Sequence, residues 1–431
     1  MNPISKTFCA SPWIHMRVLS SGKLLYCRWL PDKNNQLTSN LYQTDFVTYF
    51  QKEMSSLRAT MLQGGSLEAC NQCFIMEKHG KVSGREKQLL KVGIDTKNFE
   101  KTLRSSTFYD EFAKSAQNNG DTDLWPQDWQ IDLGNHCNSA CIFCEPKSSS
   151  KLATEFMKLG LINKLPPRNW TDDPVAIERF IELLTKSKKL QYIHFIGGET
   201  LVTPAFNRIL TQLVDKGLHK ETTIGFTTNL TIWDNNIIDL LKKFKSVNVG
   251  MSVECLHPIN DYLRWPSNIE HVKDMLNKWV TLSKEIGWLI QIRTTPTVFS
   301  IAHLKTIYDY AYDNQVGVES CNFLNNPDFM RMSILPKDVR ESIAEDLDSW
   351  VKSKNVKSSD SNMVNVRDPN LTREYILRDA LSYVDYLRNG PDETNRWPDL
   401  VNYIKKLESS RKNTILDYAP EYEHILQSAG Y

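Results

Sequence analysis

The run Gly134-Asn135-His136-Cys137-Asn138-Ser139-Ala140-Cys141-Ile142-Phe143-Cys144 sets three cysteines in a CxxxCxxC spacing just after an apolar stretch that begins at Trp129. Three thiolates on so short a loop can hold three irons of a cubane cluster and leave the fourth iron open to a ligand. A zinc knuckle uses the same residue type, so the reading depends on residues further along the chain.

Two later stretches bear on it. After the apolar run Tyr192-Ile193-His194-Phe195-Ile196 comes Gly197-Gly198-Glu199-Thr200. Glycines let a backbone approach a ligand closely, and a carboxylate suits an ammonium group. Further on, Val247-Asn248-Val249-Gly250-Met251-Ser252-Val253-Glu254 alternates as a strand does and ends in a serine and a carboxylate.

The three stretches together resemble the radical S-adenosylmethionine (SAM) superfamily. The resemblance implies a SAM-binding [4Fe-4S] cluster on Cys137, Cys141 and Cys144. Its open iron would chelate the amino and carboxylate groups of SAM, and reductive cleavage would give a 5'-deoxyadenosyl radical that abstracts hydrogen from substrate. By the same resemblance Gly197, Gly198 and Glu199 match the GGE motif that holds the SAM amino group, and Phe143 matches the aromatic that packs near adenine. In the peptide-modifying branch the fourth strand ends in Ser-x-Asp, and an arginine twelve residues after the serine contacts SAM. Ser252 and Arg264 stand at those places, with Glu254 where the aspartate would be. Thr227-Thr228-Asn229 ends the third strand, where family members place polar residues facing the ribose; a strand-end turn is the plain alternative. Arg293, near the end of the fifth strand, would meet the SAM carboxylate or a substrate, or else form a structural ion pair.

A second set, Cys9, Cys27, Cys70 and Cys73, precedes this core, with Gly22 five residues before Cys27. It resembles the opening of a Twitch or SPASM auxiliary-cluster module, which in well-known members comes after the barrel rather than before it. Trp13 to Leu19 and Lys23 to Trp29 read as a hairpin turning at Ser20-Ser21-Gly22. Phe46, Phe50, Met54, Leu57 and Met61 recur at helical spacing, and Gly64-Gly65 ends the pattern before Cys70. Four thiolates would complete an auxiliary [4Fe-4S] cluster, and structural zinc is the alternative.

From Trp129 the chain alternates strand-like and helix-like segments, which predicts a parallel sheet wrapped by helices. Strands are expected near 129–134, 191–196, 222–228, 247–253, 288–294 and 317–323. With the resemblance this gives an α/β chain: a small α+β Twitch-like module over 1–105, a partial (β/α)6 radical SAM barrel over 125–335, and a helical segment over 336–431. The helices after Pro336 are expected to close the barrel's open side. The stretch from Lys147 to Lys189 is long for one connection, and its Leu165-Pro166-Pro167-Arg168-Asn169-Trp170 reads as a surface insertion or a substrate cover. The basic run Lys78 to Lys91 reads as a solvated face.

The 431 residues carry a formal net charge of +1, which argues against a nucleic-acid partner. No signal peptide or run of about eighteen apolar residues stands out, so a soluble cytoplasmic protein is expected, without a membrane partner. Nine cysteines in clustered spacing then point to metal ligation rather than disulfides. Cys255 and Cys321 remain. Both read as packing residues, with Cys321 the candidate catalytic hydrogen donor if the enzyme is an epimerase.

The expected function is oxidative modification of a peptide or protein, as in the maturation of ribosomally made peptides, with an electron donor such as flavodoxin or ferredoxin. A dehydrogenase or epimerase acting on a sugar or aminocyclitol is the rival. A non-catalytic, SAM-binding redox sensor is the non-enzymatic alternative.

Overall fold

The computed structural model describes residues 4–28, 30, 39–42, 45–78, 82–187, 189–320, 323–324, 326–354 and 369–431. Among them, nine strands form one sheet: β1 His15–Val18, β2 Lys23–Leu25, β3 Ser39–Asn40, β4 Asp128–Asp132, β5 Tyr192–Ile196, β6 Thr223–Thr228, β7 Ser246–Ser252, β8 Leu289–Thr294 and β9 Gly317–Ser320. Their order is β3-β2-β1-β4-β5-β6-β7-β8-β9. The strands β4 to β9 pair in parallel and in sequence, which is the expected open (β/α)6 array. The expected sixth strand ran to residue 323; β9 ends at Ser320, and 321–322 lie outside the described residues.

The connecting helices start on good caps. Pro174–Thr185 begins with a proline behind the Asp173 side chain, Asn235–Leu241 behind Asp234, and Ile269–Ile286 behind Asn268. Their apolar stripes cover one face of the sheet. Trp129 meets Phe180 on the first helix, and Phe226 meets both Phe206 and Trp279 on later ones.

A parallel sheet covered on both faces is expected to be apolar throughout its strands. Here the other face is polar: Gln130 on β4, Tyr192 and His194 on β5, Thr227 on β6, Asn248 on β7, Arg293 on β8 and Glu319 on β9. His194 and Arg293 stand three strand spacings apart in the sheet, about 14 Å if it were flat. Yet Arg293 Nη1 lies 3.1 Å from His194 Nε2, so the sheet is curled with this face concave. Two glycines make room for the crossing: a Cβ on Gly225 would lie 2.2 Å from the Tyr192 hydroxyl, and one on Gly250 would lie 2.7 Å from Arg293 Cδ.

The amino-terminal hairpin is shorter than expected and belongs to this same sheet. Ser11–Ile14, including Trp13, forms a turn of helix, and the strand begins only at His15; Trp29 lies outside the described residues. The turn at Gly22 has φ +82°, which a side chain would strain. β1 then pairs in parallel with β4, His15 opposite Asp128 and Val18 opposite Ile131, while β2 and β3 continue the edge antiparallel.

The segment 84–91 is solvated on one face only. Helix Gly84–Lys91 buries Arg85, Gln88 and Leu89, while Lys87 and Lys91 stay partly exposed and pair with acids of the sheet. Lys91 pairs with Asp128 at the start of β4, and Lys87 reaches Glu319 on β9 at 3.4 Å. The helix thus crosses beneath the amino ends of the strands. At the other edge, helices Lys337–Ser353 and Pro369–Asn389 pack on each other, and the second also packs on β9. Among the described residues, no helix is long and apolar enough to cross a membrane.

The proline and tryptophan loop is a buckle. Trp170 is 1% exposed; its Nε1 donates to Asp132 O (2.8 Å), its N–H donates to Ser20 O (2.9 Å), and its carbonyl accepts from the Tyr42 hydroxyl (3.2 Å). It therefore joins the hairpin turn to the end of β4. Trp170→Ala should cost about 3–5 kcal/mol in urea unfolding, the usual scale for emptying a buried indole site.

Candidate active site

The three-cysteine loop leaves the carboxyl end of β4 and reaches helix Ser150–Lys158. Residues 137–144 contain no regular element, so their shape is set from outside. Ser149 Oγ donates to Ser139 O (2.6 Å) and accepts the Leu152 N–H (3.1 Å), capping the helix and holding the loop with one side chain. Asn229 Nδ2 donates to Asn138 Oδ1 and to Ser139 Oγ, each at 2.9 Å. The N–H groups of Ala140 and Ile142 donate to Trp265 O (2.6 Å) and Leu263 O (2.9 Å). The Ser139 N–H donates to Cys137 Sγ at 3.4 Å.

Gly197 and Gly198 have φ of +99° and +45°. The Glu199 N–H donates to His136 O (2.8 Å). A Cβ on Gly198 would stand 2.0 Å from that same oxygen, and one on Gly197 2.3 Å from Asp132 Oδ1. The partner that needs glycine here is the cysteine loop itself. The Glu199 carboxylate takes the N–H groups of Leu201 (3.0 Å) and Asn229 (2.5 Å), tying the end of β5 to the end of β6. Burial raises its pKa to about 7.

The other positions converge on the same end of the sheet. Thr228 is buried, and its hydroxyl accepts the Leu230 N–H (3.2 Å). Ser252 ends β7 half-buried, in register with Arg293. Glu254, fully buried, pairs with Arg264 and accepts from the Thr295 N–H (2.6 Å) and the Thr294 hydroxyl (3.2 Å). Arg264 in turn lies over Phe143, 5.4 Å from the ring centroid. Arg293 donates to Thr227 Oγ1 (2.8 Å) and pairs with Glu319 (3.1 Å). Cys255 is buried and packed, whereas Cys321 lies outside the described residues.

The thiols are strongly perturbed. Burial, with smaller contributions from neighbouring thiolates, pushes Cys137 up to about 11 and Cys144 up to about 12. Burial also raises Cys141, opposed by the nearby Arg264. Cys141 is buried and Cys137 and Cys144 are half-buried, and Cys137 and Cys144 each feel the charge of neighbouring thiolates on the same loop.

A cavity lies at the opposite end of the sheet, lined by Cys9, Cys27, Cys70 and Cys73 with Tyr26 and Arg85. Cys9 precedes β1 and Cys27 comes after the antiparallel β2, so both stand at the amino end of β1 and β4, while Cys137 lies beyond the carboxyl end of β4. Gln88 lines this cavity and also donates to Asp128 Oδ2 (3.3 Å), so one residue touches both the cavity and the sheet.

Asp132, His194 and Glu319 were not singled out from the sequence. The available signal was a polar residue at every second position in strands otherwise built for a covered sheet, as in Gln130/Asp132 and Tyr192/His194. Asp132 Oδ1 accepts the Gly134 N–H (2.9 Å), and burial raises its pKa to about 6.

Residues 131–295 match the family model described as the Radical SAM superfamily. Among solved structures, Streptococcus suis SuiB bound to S-adenosylmethionine is 18% identical, with 82% of this chain and 71% of that chain covered, at a TM-score of 0.36. The protein anSMEcpe with bound AdoMet is 15% identical, with 52% and 60% covered and a TM-score of 0.37. TsrM from Kitasatospora setae, a radical S-adenosylmethionine methyltransferase, is 13% identical, with 44% and 35% covered and a TM-score of 0.32. Likeness this loose transfers no substrate and no residue role. A comparison with curated proteins finds no match.

Gly198→Ala should stop the chain from assembling a stable iron site on the three cysteines, read as iron per chain after anaerobic reconstitution. Folded Asp132 keeps its proton between about pH 4 and 6, where the unfolded chain has lost it, so this residue makes stability fall as pH rises through that window. Urea unfolding across pH should show that fall in the wild type and a flatter profile in Asp132→Asn. On the family match, and with the cysteine loop seated at the carboxyl ends of a parallel (β/α)6 sheet, this chain carries a radical SAM domain over residues 131–295.

Proposed function

We propose that this chain is a radical SAM enzyme that oxidatively modifies a peptide or protein. Cys137, Cys141 and Cys144 hold the SAM-binding [4Fe-4S] cluster, and Cys9, Cys27, Cys70 and Cys73 hold an auxiliary one. The observation that carries the reading is the pinning of the cysteine loop by the Gly197–Glu199 backbone on one side and by Asn229 on the other, all at strand ends. When bound, the cluster and SAM supply reductive SAM cleavage and a carbon radical that removes a hydrogen atom from substrate.

The chain's own residues divide the remaining work. Glu254 holds Arg264 beside Phe143, at the place where the SAM carboxylate and adenine are expected. With the Glu199 carboxylate engaged by backbone donors, the peptide edge of Gly197–Glu199 is the part offered to the SAM amino group. The half-buried Ser252, Thr227 and Arg293 on the concave face are offered to substrate. The domain division at 1–105, 125–335 and 336–431, a cytoplasmic setting and a flavodoxin or ferredoxin donor complete the proposal.

The auxiliary assignment draws support from the meeting of Cys9, Cys27, Cys70 and Cys73 at one cavity. Four thiolates suit a [4Fe-4S] cluster or a structural zinc. The iron content of the reconstituted chain separates the two.

A dehydrogenase or epimerase of sugars or aminocyclitols is favoured by one observation, the row of hydrogen-bonding side chains along the concave face. The test is anaerobic reconstitution, then addition of SAM and dithionite, with and without candidate peptides and sugars. Wild type should bind about eight irons and release 5'-deoxyadenosine, whereas Cys137→Ala/Cys141→Ala/Cys144→Ala should keep about four irons and release none. Cys70→Ala/Cys73→Ala should lose the other four. Turnover of a sugar with no peptide product would replace the peptide reading.

A further inference from the structure

Cys141 stands at the centre of a clamp whose second jaw comes from the far carboxyl end of the chain. On one side, the N–H groups of its neighbours Ala140 and Ile142 bond the backbone at Trp265 and Leu263. On the other, the carbonyl groups of the same two residues accept side chains from more than 250 positions away: Ala140 O takes Arg411 Nη2 at 2.8 Å, and Ile142 O takes the Tyr403 hydroxyl at 2.7 Å. All four backbone groups flanking Cys141 are thereby fixed.

Both donors are themselves held. Arg411 is 1% exposed at its side chain and bidentate with Glu155, Nε at 2.9 Å and Nη2 at 2.7 Å. Glu155 belongs to the helix just after the cysteine loop and also accepts the Ser410 hydroxyl at 2.6 Å. The guanidinium lies over the Trp265 ring at 4.8 Å, joining the two jaws. Tyr403 is wedged between Phe156 and Phe329 on helix Trp397–Glu408. A planar guanidinium with three fixed partners cannot shift without breaking a buried ion pair, which is costly.

We propose that Arg411 and Tyr403 are positioning residues for the three-cysteine centre, acting through the Ala140 and Ile142 carbonyls to fix Cys141. This rests on the assignment of a cluster to Cys137, Cys141 and Cys144. The carboxyl-terminal segment is then a working part of the radical SAM site as well as a cover for the sheet edge. Free peptide carbonyls beside Cys141 would let the loop relax, and the thiolate geometry with it.

The test uses the full chain, reconstituted anaerobically, as wild type, Tyr403→Phe, Arg411→Lys and Arg411→Met. Two readouts are taken: the rate at which a chelator strips iron from the SAM-responsive cluster, and the reduced-state electron paramagnetic resonance spectrum with and without SAM. Partners that orient a metal's ligands are typically worth about 10- to 100-fold in affinity. Tyr403→Phe and Arg411→Met should accordingly speed stripping by about tenfold or more or alter the spectrum, and Arg411→Lys should recover part of the loss. Apo-protein melting of Tyr403→Phe should fall by no more than a few degrees, the scale of one lost buried hydrogen bond, which separates positioning from a general loss of fold. Arg411→Met leaves Glu155 buried without its partner; if that variant does not fold, Tyr403→Phe decides. Wild-type stripping and spectra in Tyr403→Phe and in every folded Arg411 variant would overturn the proposal. A wild-type chain with no SAM-responsive iron would overturn the cluster assignment and this inference with it.

Discussion

The architecture depends on a contact between two loops at which no side chain fits. The Glu199 N–H reaches His136 O, and Gly198 passes so close that a single added carbon would lie 2.0 Å from that oxygen. This contact fixes the height of the cysteine loop above β5, and the Glu199 carboxylate carries the constraint on to β6 through the Asn229 N–H. Asn229 then returns to the loop through Asn138 and Ser139. The ends of three neighbouring strands and the cysteine loop therefore form one closed circuit of hydrogen bonds. The two glycines that resembled a ligand-binding motif serve this circuit first.

Curling of the sheet is the second constraint, and its origin is residue size. Small residues at 225 and 250 let Tyr192, His194 and Arg293 cross the concave face and join β5 to β8. Burial, reinforced by Arg293 and Arg28, lowers the pKa of His194, so it stands as a neutral imidazole between a phenol and a guanidinium. The result is a polar interior in a fold whose interior is otherwise filled by aliphatic layers.

Features that lie close together in the chain were legible in the sequence. The cysteine loop, the glycine pair and the alternation of β7 are local patterns, and each falls where the spacing places it. The barrel strands β4 to β8 were legible to within about two residues, because parallel β/α units repeat the same punctuation, whereas β2 and β9 end earlier than expected. Long-range pairings were not legible. The membership of β1 in the main sheet depends on pairing between His15 and Asp128, 113 positions apart, with no signature of its own. The pairing of the partly exposed Lys87 with Glu319 and of Lys91 with the buried Asp128 depends on acids far along the chain that a charge run cannot reveal. The clamp on Cys141 depends on Arg411 and Tyr403, which read from sequence as an ordinary cation and a helix aromatic.

The pairing of β1 with β4 also settles a question of direction that domain order alone leaves open. Because β1 runs parallel to β4, the chain entering β1 must lie at the amino end of the sheet, and the chain leaving β4 at the carboxyl end. The two cysteine sets are thus separated by at least the length of a strand, roughly 13–17 Å at about 3.3 Å per residue. A chain of polar side-chain contacts lies between them: Gln88 bonds Asp128, the Lys91 ammonium lies 5.1 Å from the centre of the Tyr192 ring, and Tyr192, His194 and Arg293 continue to Thr227 near the carboxyl end. The amino-terminal cysteines therefore lie below the concave face, at the end of the sheet away from the cysteine loop, and the two sets do not share one surface.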